Sequence, residues 1–385
     1  MTLPLAQPSA ALVRNCVDRI TLSHFRNYHA TQWQIAEGRS VALIGPNGAG
    51  KTNLLEAISL LTPGRGLRRA TLSDMDNVQD HALWAVAAEV RGMQGETRIG
   101  TGRDPEAGEQ GEKRVVRIDG KNVKGQGELA RVFAALWITP QMDNLFLEGG
   151  TARRKFLDRL VYSFDAEHAS RINAYDFVMR ERNRLLAMGR SDPTWLSALE
   201  QKMAEQGVAI AVARAHAVEG LMHAMQYGSD AFPKAQVMLS GEVEKGLAEG
   251  AALAAEESFR ESLARSRPQD AQAGRTLTGI HRTQMEVMHV DKNMPAERCS
   301  TGEQKALLLS IILAQARAGA SWHGRVPVLL LDEVSTHLDA TRRAALYEAL
   351  AGTGAQCWLT GTDRETFDGL DADRVAVEAG VLSAA

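Results

Sequence analysis

Cysteine is scarce: Cys16, Cys299 and Cys357 are the only three in 385 residues. Their number is odd and their spacing matches no metal knuckle. That excludes a disulfide framework and a zinc ribbon, and it fits a reducing, cytoplasmic setting. Long apolar runs are missing as well. No stretch of 18 apolar residues occurs, so neither a membrane span nor a membrane partner is expected. Residues 1–15 lack an apolar core followed by a cleavage site, and they read as a short disordered tail. An excess of one charge is also lacking: 44 Lys and Arg against 47 Asp and Glu leave a net charge of −3. A protein that grips nucleic acid by bulk charge would be strongly basic, so any contact with a polyanion has to be local. There is no sustained heptad pattern and no internal repeat, which excludes a long coiled coil and a solenoid. What remains is an ordinary globular composition, 44% hydrophobic, long enough for two or three lobes.

The strongest positive signal is Gly45-Pro46-Asn47-Gly48-Ala49-Gly50-Lys51-Thr52, which fits G-x-x-x-x-G-K-[ST] without deviation. Ser40 to Ile44 before it reads as a short buried strand, and Asn53 to Leu61 after it as an amphipathic helix. Backbone N–H groups of such a turn, with the positive end of the helix, wrap a polyphosphate. Lys51 then reaches the β- and γ-phosphates of ATP and the Thr52 hydroxyl holds Mg²⁺. Far downstream, Val326 to Leu331 is aliphatic apart from Pro327 and runs into Asp332-Glu333. A buried strand ending in two acids is a Walker B element: Asp332 holds Mg²⁺ through water, and Glu333 polarises the attacking water.

Between the two lies Cys299-Ser300-Thr301-Gly302-Glu303-Gln304-Lys305, ahead of an apolar helix from Ala306 to Ala318. A serine at a helix N-terminus is a cap and an anion site at once. Its place, 32 residues before Asp332 (332 − 300), resembles the signature motif of ABC-type ATPases. In that superfamily this helix end binds the γ-phosphate held by a second protomer. Val334-Ser335-Thr336-His337-Leu338-Asp339 resembles the D-loop, with Thr336 where the pattern usually has Ser.

Spacing selects the branch. Ser300 stands 249 positions after Lys51 (300 − 51), far more than in transporter nucleotide-binding domains. Such an interval resembles the DNA-repair and chromosome-maintenance branch. SMC proteins and RecN fill it with a coiled coil for which this chain has no room. Ile20 to Tyr28, Gly64 to Arg69, Gly149 to Asp158, Thr276 to Arg282 and Leu359 to Asp363 resemble, in order, segments of the RecF family. The resemblance implies an α/β fold: an ABC-type P-loop ATPase head whose mixed sheet is split across both chain ends, plus an inserted helical lobe. It divides the chain into the tail at 1–15, a first ATPase part at 16–150, the helical lobe at 151–270 and a second ATPase part at 271–385. It further implies a weak ATPase that dimerises on ATP and binds single-strand/double-strand DNA junctions. Such a protein acts with RecO and RecR, and through them on RecA, in recombinational repair.

The resemblance also offers roles for single residues. Gln141, after a strand expected over Val132 to Ile138, stands where ABC-type ATPases sense Mg²⁺ and the γ-phosphate; an ordinary loop glutamine is the alternative. Arg26 and Asn27 either contact the nucleotide or build a hairpin. At the switch position, where many relatives have His, the chain offers Thr360, Thr362 and Asp363. Three basic clusters are candidates for DNA or for a solvated face: Arg65, Arg68 and Arg69; Arg153, Arg154 and Lys155; and Arg180, Arg182 and Arg184. Strands are expected over Trp84 to Arg91, Glu96 to Gly100 and Arg114 to Ile118, with a hairpin loop from Asp104 to Lys113. Helices are expected from Thr151 to Tyr227 and from Ala248 to Ala264. Three other readings compete: a transporter ATPase subunit, a defence ATPase of the overcoming-lysogenisation type, and a scaffold whose ATP site only gates assembly. After Asp339 too few residues remain for the nuclease domain of the second.

Overall fold

The computed structural model describes residues 12–77, 79, 82–107, 113–189, 192–335 and 338–385. The chain forms two compact units. The first takes Met1–Asp143, Tyr227–Phe232 and Leu308–Ala385; the second takes Asn144–Gln226 and Pro233–Leu307.

The first unit begins with Val13–Arg14 (β1), the hairpin Cys16–Phe25 (β2) and Tyr28–Gln34 (β3), the strand Ser40–Ile44 (β4) and the helix Lys51–Ser59 (α1). Ala85–Gly92 (β5), Gly95–Arg103 (β6), Arg114–Ile118 (β7) and Lys121–Asn122 (β8) follow, then Gly127–Val132 (α2) and Ala135–Ile138 (β9). The second unit holds the helices Gly150–Tyr162 (α3), His168–Ala187 (α4) and Pro193–Met225 (α5), the strand Ala235–Ser240 (β10), the helices Glu242–Glu249 (α6) and Ala252–Ala273 (α7), and the strands Gln284–His289 (β11) and Met294–Pro295 (β12). Helix α8, Thr301–His323, carries the chain back. Arg325–Val326 (β13), Val328–Leu331 (β14), Ala340–Thr353 (α9), Cys357–Gly361 (β15), Ala372–Glu378 (β16) and Val381–Ala384 (β17) complete the first unit.

Two six-stranded sheets make the first unit. One, ordered β17-β16-β4-β15-β14-β9, is parallel apart from β17. The other, β3-β2-β5-β6-β7-β8, is antiparallel. The difference is visible in the residues. Buried β14 is Val328-Leu329-Leu330-Leu331 without alternation, as a strand covered on both faces must be. Strand β5 alternates exposed and buried positions with the period of two of a half-covered strand. Helix α1 packs on both sheets. Its Leu54, Leu55 and Ile58 have no exposed surface, and they share a core with Ile20, Leu22, Val41, Leu43, Val328 and Trp358. Burying each of these α1 side chains stabilises the fold by about 1.5–3 kcal/mol.

The second unit is not purely helical. Strands β10, β11 and β12 form an antiparallel sheet inside it, so the lobe runs past the expected boundary at 270, through Ser300 and into α8. Its helices enclose an ion network. Arg182 is fully buried, with Nε 3.0 Å from Glu200 and Nη1 2.8 Å from Asp270, and Arg214 grips Asp158 at 2.8 and 3.0 Å. This corrects the third basic cluster: Arg182 is an internal counter-ion, and Arg184 pairs with Glu181. Helix α7 outlasts the expected end at Ala264 and runs through Pro268. Asp270 beyond the proline is clamped by Arg182 and by the Leu277 N–H, so tertiary contacts override the breaker.

Two more expectations shift, and a third lies partly outside the described residues. The tail ends earlier, because Val13–Arg14 pairs in parallel with Arg325–Val326 and the buried Asn15 donates to the Val326 carbonyl at 2.8 Å; residues 1–11 lie outside the described residues. Val132 closes helix α2 and does not open a strand, since Phe133 N–H reaches back to Leu129 O at 2.9 Å. The Asp104–Lys113 loop is described only at its ends, where Asp104 N–H meets Lys113 O at 2.9 Å.

Candidate nucleotide site

The glycine-rich turn joins β4 to α1, and its glycines are required by space. A Cβ on Gly45 would sit 2.2 Å from Val377 O, and one on Gly50 would sit 2.6 Å from the Asn27 amide. Gly48 and Gly50 have φ of 83° and 117°, in the left-handed region. Lys51 folds back over the turn, donating from Nζ to Gly45 O at 2.6 Å and to Pro46 O at 3.0 Å. Burial lowers its pKa, against the opposing pull of Glu333 and Asp332.

Strand β15 lies between β4 and β14, and so between the two nucleotide motifs. Around its end the motifs meet. Thr52 Oγ1 donates to Asp332 Oδ1 at 2.9 Å, and Thr360 Oγ1 donates to the same oxygen at 2.8 Å. Glu333 N–H donates to Thr360 Oγ1 at 2.9 Å. Burial raises the Asp332 pKa, with the Thr360 and Thr52 hydroxyls opposing. Glu333 is half-buried and has φ of 55°, uncommon for a residue with a side chain.

Beneath the turn a second layer holds it. Asn27 Nδ2 donates to Ala49 O at 2.9 Å, and Asn27 Oδ1 accepts from Asn53 Nδ2 at 2.7 Å. Arg68 donates to Asn53 Oδ1 at 2.6 Å and to Glu56 at 3.2 Å. Arg26 takes both oxygens of the wholly buried Glu56, at 2.9 and 3.0 Å. Arg26 and Asn27 thus build the hairpin that supports the turn. Arg68 belongs to this layer rather than to a free basic face, whereas Arg65 and Arg69 are exposed. Arg114 went unnoticed in the sequence. It donates to Gly64 O at 2.7 Å and to Leu60 O, pinning the Gly64–Arg69 segment, and burial pushes its pKa down to about 10.

Other sequence candidates fall as follows. Gln141 is exposed in the short turn Pro140–Asn144. Thr362 and Asp363 are exposed, the Thr362 hydroxyl donating to Asp363 at 2.6 Å. Asp339 caps α9, accepting from Arg342 N–H at 2.8 Å; Thr336 lies outside the described residues. In the second unit Ser300 and Glu303 form a reciprocal capping box at the start of α8. Ser300 N–H and Oγ both lie 2.9 Å from Glu303 Oε2. Lys292 and Ser300 together hold the Glu303 carboxyl down at about 2. Thr301 and Gly302 are exposed in the first turn. Arg153 donates to Phe146 O at 2.9 Å and Arg154 to Thr283 O at 3.0 Å, while Lys155 is exposed.

These residues fit a polyphosphate with Mg²⁺. The turn leaves room for backbone approach, and a hydroxyl and a carboxylate already meet. Among the described residues no group of three or more His, Cys, Asp or Glu is placed to hold a metal. One carboxylate, one hydroxyl and substrate phosphates are the usual ligands of Mg²⁺, which needs no protein cage.

The family model for the RecF/RecN/SMC N-terminal domain matches residues 16–378. A DNA replication and repair protein RecF from Allorhizobium ampelinum is 45% identical over 371 residues, covering 95% of this chain and 98% of its own. This chain belongs to the RecF family. RecF from Agrobacterium fabrum is 47% identical over 358 residues, with 92% and 94% of the two chains covered. Among solved structures, a recombination mediator protein RecF–ATP of the RecFOR pathway superposes with a TM-score of 0.84, at 23% identity, over 97% of this chain and 100% of that one. An SMC head domain from Pyrococcus furiosus follows at 0.55 and 14% identity, covering 96% of each chain. The RecF fold, an α/β ATPase head, is therefore the fold of this protein, and DNA replication and repair is its function. The transporter and defence readings give way to it. Among the described residues no helix is long and apolar enough to cross a membrane.

Proposed function

We propose that the chain is an ATP-dependent DNA clamp that closes by dimerisation and opens on hydrolysis. The observation that supports this best is the meeting of Thr52, Asp332 and Glu333 at the phosphate turn. ATP is the substrate, held by Gly45 to Thr52 with Lys51 as the point charge on its phosphates. Thr52 and Asp332, with Gln141 from its turn, would hold Mg²⁺, which when bound neutralises developing phosphate charge. Glu333 takes a proton from water as the water oxygen bonds to the γ-phosphorus and the bond to the β-phosphate oxygen breaks, giving ADP and phosphate. Asn27 braces the turn, and Arg26 braces Asn27's hairpin through Glu56.

Ser300, Thr301, Gly302 and Glu303 act in trans, on the ATP of a second copy, and two such contacts make a closed two-fold dimer. Asp339, in the segment that resembles the D-loop, lines that interface, and Thr362 or Asp363 serves as the switch. Turnover is slow, and hydrolysis releases DNA. The exposed Arg65, Arg69 and Lys155, with Arg153 and Arg154 beside Lys155, are the DNA-facing cations. The clamp works with RecO and RecR, as the pathway name of the RecF structures supports; it recognises single-strand/double-strand junctions in the cytoplasm and places RecA there.

Size-exclusion chromatography with light scattering tests the clamp. Wild type should be monomeric alone and dimeric with ATP and Mg²⁺, and Lys51→Met should stay monomeric. Normal ATP-dependent dimerisation of Lys51→Met would overturn the assignment of the turn.

A further inference from the structure

We propose that Thr360 is a positioning residue for hydrolysis: one buried hydroxyl sets the Glu333 base against the Asp332 carboxylate. The proposal rests on the reading of Asp332 and Glu333 given above and adds the group that holds them together.

The strand register places Thr360. In β15, Leu359 stands opposite Leu331 of β14, so the next residue, Thr360, is level with Asp332. On the other side Thr360 is opposite Leu43 of β4, two positions before the phosphate turn. The side chain has no exposed surface. A buried hydroxyl is costly unless paired, and a valine would fill the same volume in a parallel strand at no such cost. This hydroxyl is paired in both senses. Its single hydrogen goes to Asp332 Oδ1 at 2.8 Å, and its oxygen accepts Glu333 N–H at 2.9 Å.

The second bond matters because of where Glu333 sits. Its φ of 55° is in the left-handed region that non-glycine residues avoid, and such a conformation persists only where the surroundings over-determine it. The Thr360 oxygen is a fixed acceptor for the peptide N–H of that residue. The first bond matters because Thr52 has another duty. Thr52 also reaches Asp332 Oδ1, at 2.9 Å, but it belongs to the phosphate turn and is the hydroxyl meant for the metal. Thr360 is the anchor of Asp332 that does not depend on that choice. The residue therefore acts through Asp332 and Glu333, and Thr362 and Asp363 are the only exposed polar groups of the segment left to sense the γ-phosphate.

Thr360→Val removes the hydroxyl and keeps the shape; Thr360→Ser keeps the hydroxyl; Glu333→Gln is the control for the base. Steady-state ATP hydrolysis, binding of a fluorescent ATP analogue with Mg²⁺, and ATP-dependent dimerisation are measured for each. For Thr360→Val, kcat should fall about tenfold or more, while KM and analogue affinity stay within about threefold. The variant should still dimerise with ATP, and Thr360→Ser should recover kcat to within about threefold of wild type. Wild-type kcat in Thr360→Val beside an inactive Glu333→Gln overturns the role of Thr360 alone. An active Glu333→Gln overturns the base itself. Loss of analogue binding in parallel with kcat would make Thr360 a support of the binding turn and overturn the proposal too. If Thr360→Val does not fold, Thr360→Ala must show the same split between kcat and binding.

Discussion

Glu56 is a carboxylate with no exposed surface on a helix that also buries Leu54, Leu55 and Ile58, and Arg26 and Arg68 both reach it. A buried charge is tolerable only when paired, so these arginines are structural before they are anything else. In the sequence Arg65, Arg68 and Arg69 look alike, because a charge run does not reveal which member has an acid behind it. The partner of Arg68 lies 12 residues back, on the inner side of α1. Arg68→Ala should therefore lower stability by about 1–2 kcal/mol, as a lost charge-assisted bond does. Arg65→Ala and Arg69→Ala should leave stability within about 0.5 kcal/mol and weaken DNA binding in a salt-dependent way. Thermal melting and binding isotherms at two salt concentrations separate the groups; a stable, DNA-defective Arg68→Ala would contradict this division. Glu333 makes a second residue-scale test. Glu333→Gln keeps size and hydrogen-bonding reach but takes no proton from water, so the ATP-bound dimer should accumulate without turnover. Dimer that decays at the wild-type rate after ATP addition would place the base elsewhere.

At the scale of elements, legibility followed locality. Strand β4 and strand β7 end where the apolar run and the turn residues say they should, because both signals are within a few positions. Strand β10 falls between the two expected helical stretches and has no counterpart in the sequence reading, since six residues paired with Gln284–His289 declare themselves only through that distant partner. The motif Thr276 to Arg282 stood out by resemblance alone, and the structure supplies its chemistry. Gly279 has φ of 126°, and a Cβ there would lie 2.4 Å from the Tyr175 hydroxyl. His281 is held between Tyr175 OH and Thr276 O, both at 3.0 Å. Burial foremost, then Arg282 and Arg154, lowers the His281 pKa, with the Thr276 carbonyl opposing. The folded state thus prefers the neutral ring, while the unfolded chain takes up a proton near its ordinary pKa of about 6.5. The unfolded state binds more protons in that window, so this contribution is present above about pH 6.5 and is lost as pH falls below it. His281→Gln, which does not titrate, should be less stable than wild type at about pH 7.5, and the gap should narrow towards about pH 5.5. Melting curves across that range test it; a constant gap would show that His281 does not titrate there.

For the whole molecule, the decisive contacts span most of the chain: Thr52 meets Asp332 280 positions away, and Thr360 joins them from a third segment. The motifs were legible because each is short and local. That Thr52 and Asp332 serve one Mg²⁺ follows from the motifs, but the hydroxyl that joins Asp332 to Glu333 does not, because it depends on β15 entering between β4 and β14. Ser300 belongs to the second unit, and its hydroxyl is engaged by its own Glu303. If Ser300 serves a second copy, two damaged chains should repair each other. Ser300→Arg loses the cap, which costs about 1 kcal/mol in the monomer, and sets a cation against the positive helix end. It should still bind ATP as a monomer but fail to dimerise. Lys51→Met fails at the phosphates. Mixed, the two chains form one composite site from the intact Lys51 of one and the intact Ser300 of the other, while the second site carries both defects. ATP hydrolysis should appear only on mixing, at about half the wild-type rate or below, since one site of two is whole. Loss of ATP binding by monomeric Ser300→Arg would mean that the motif acts on its own chain, and the clamp would then have to close in some other way.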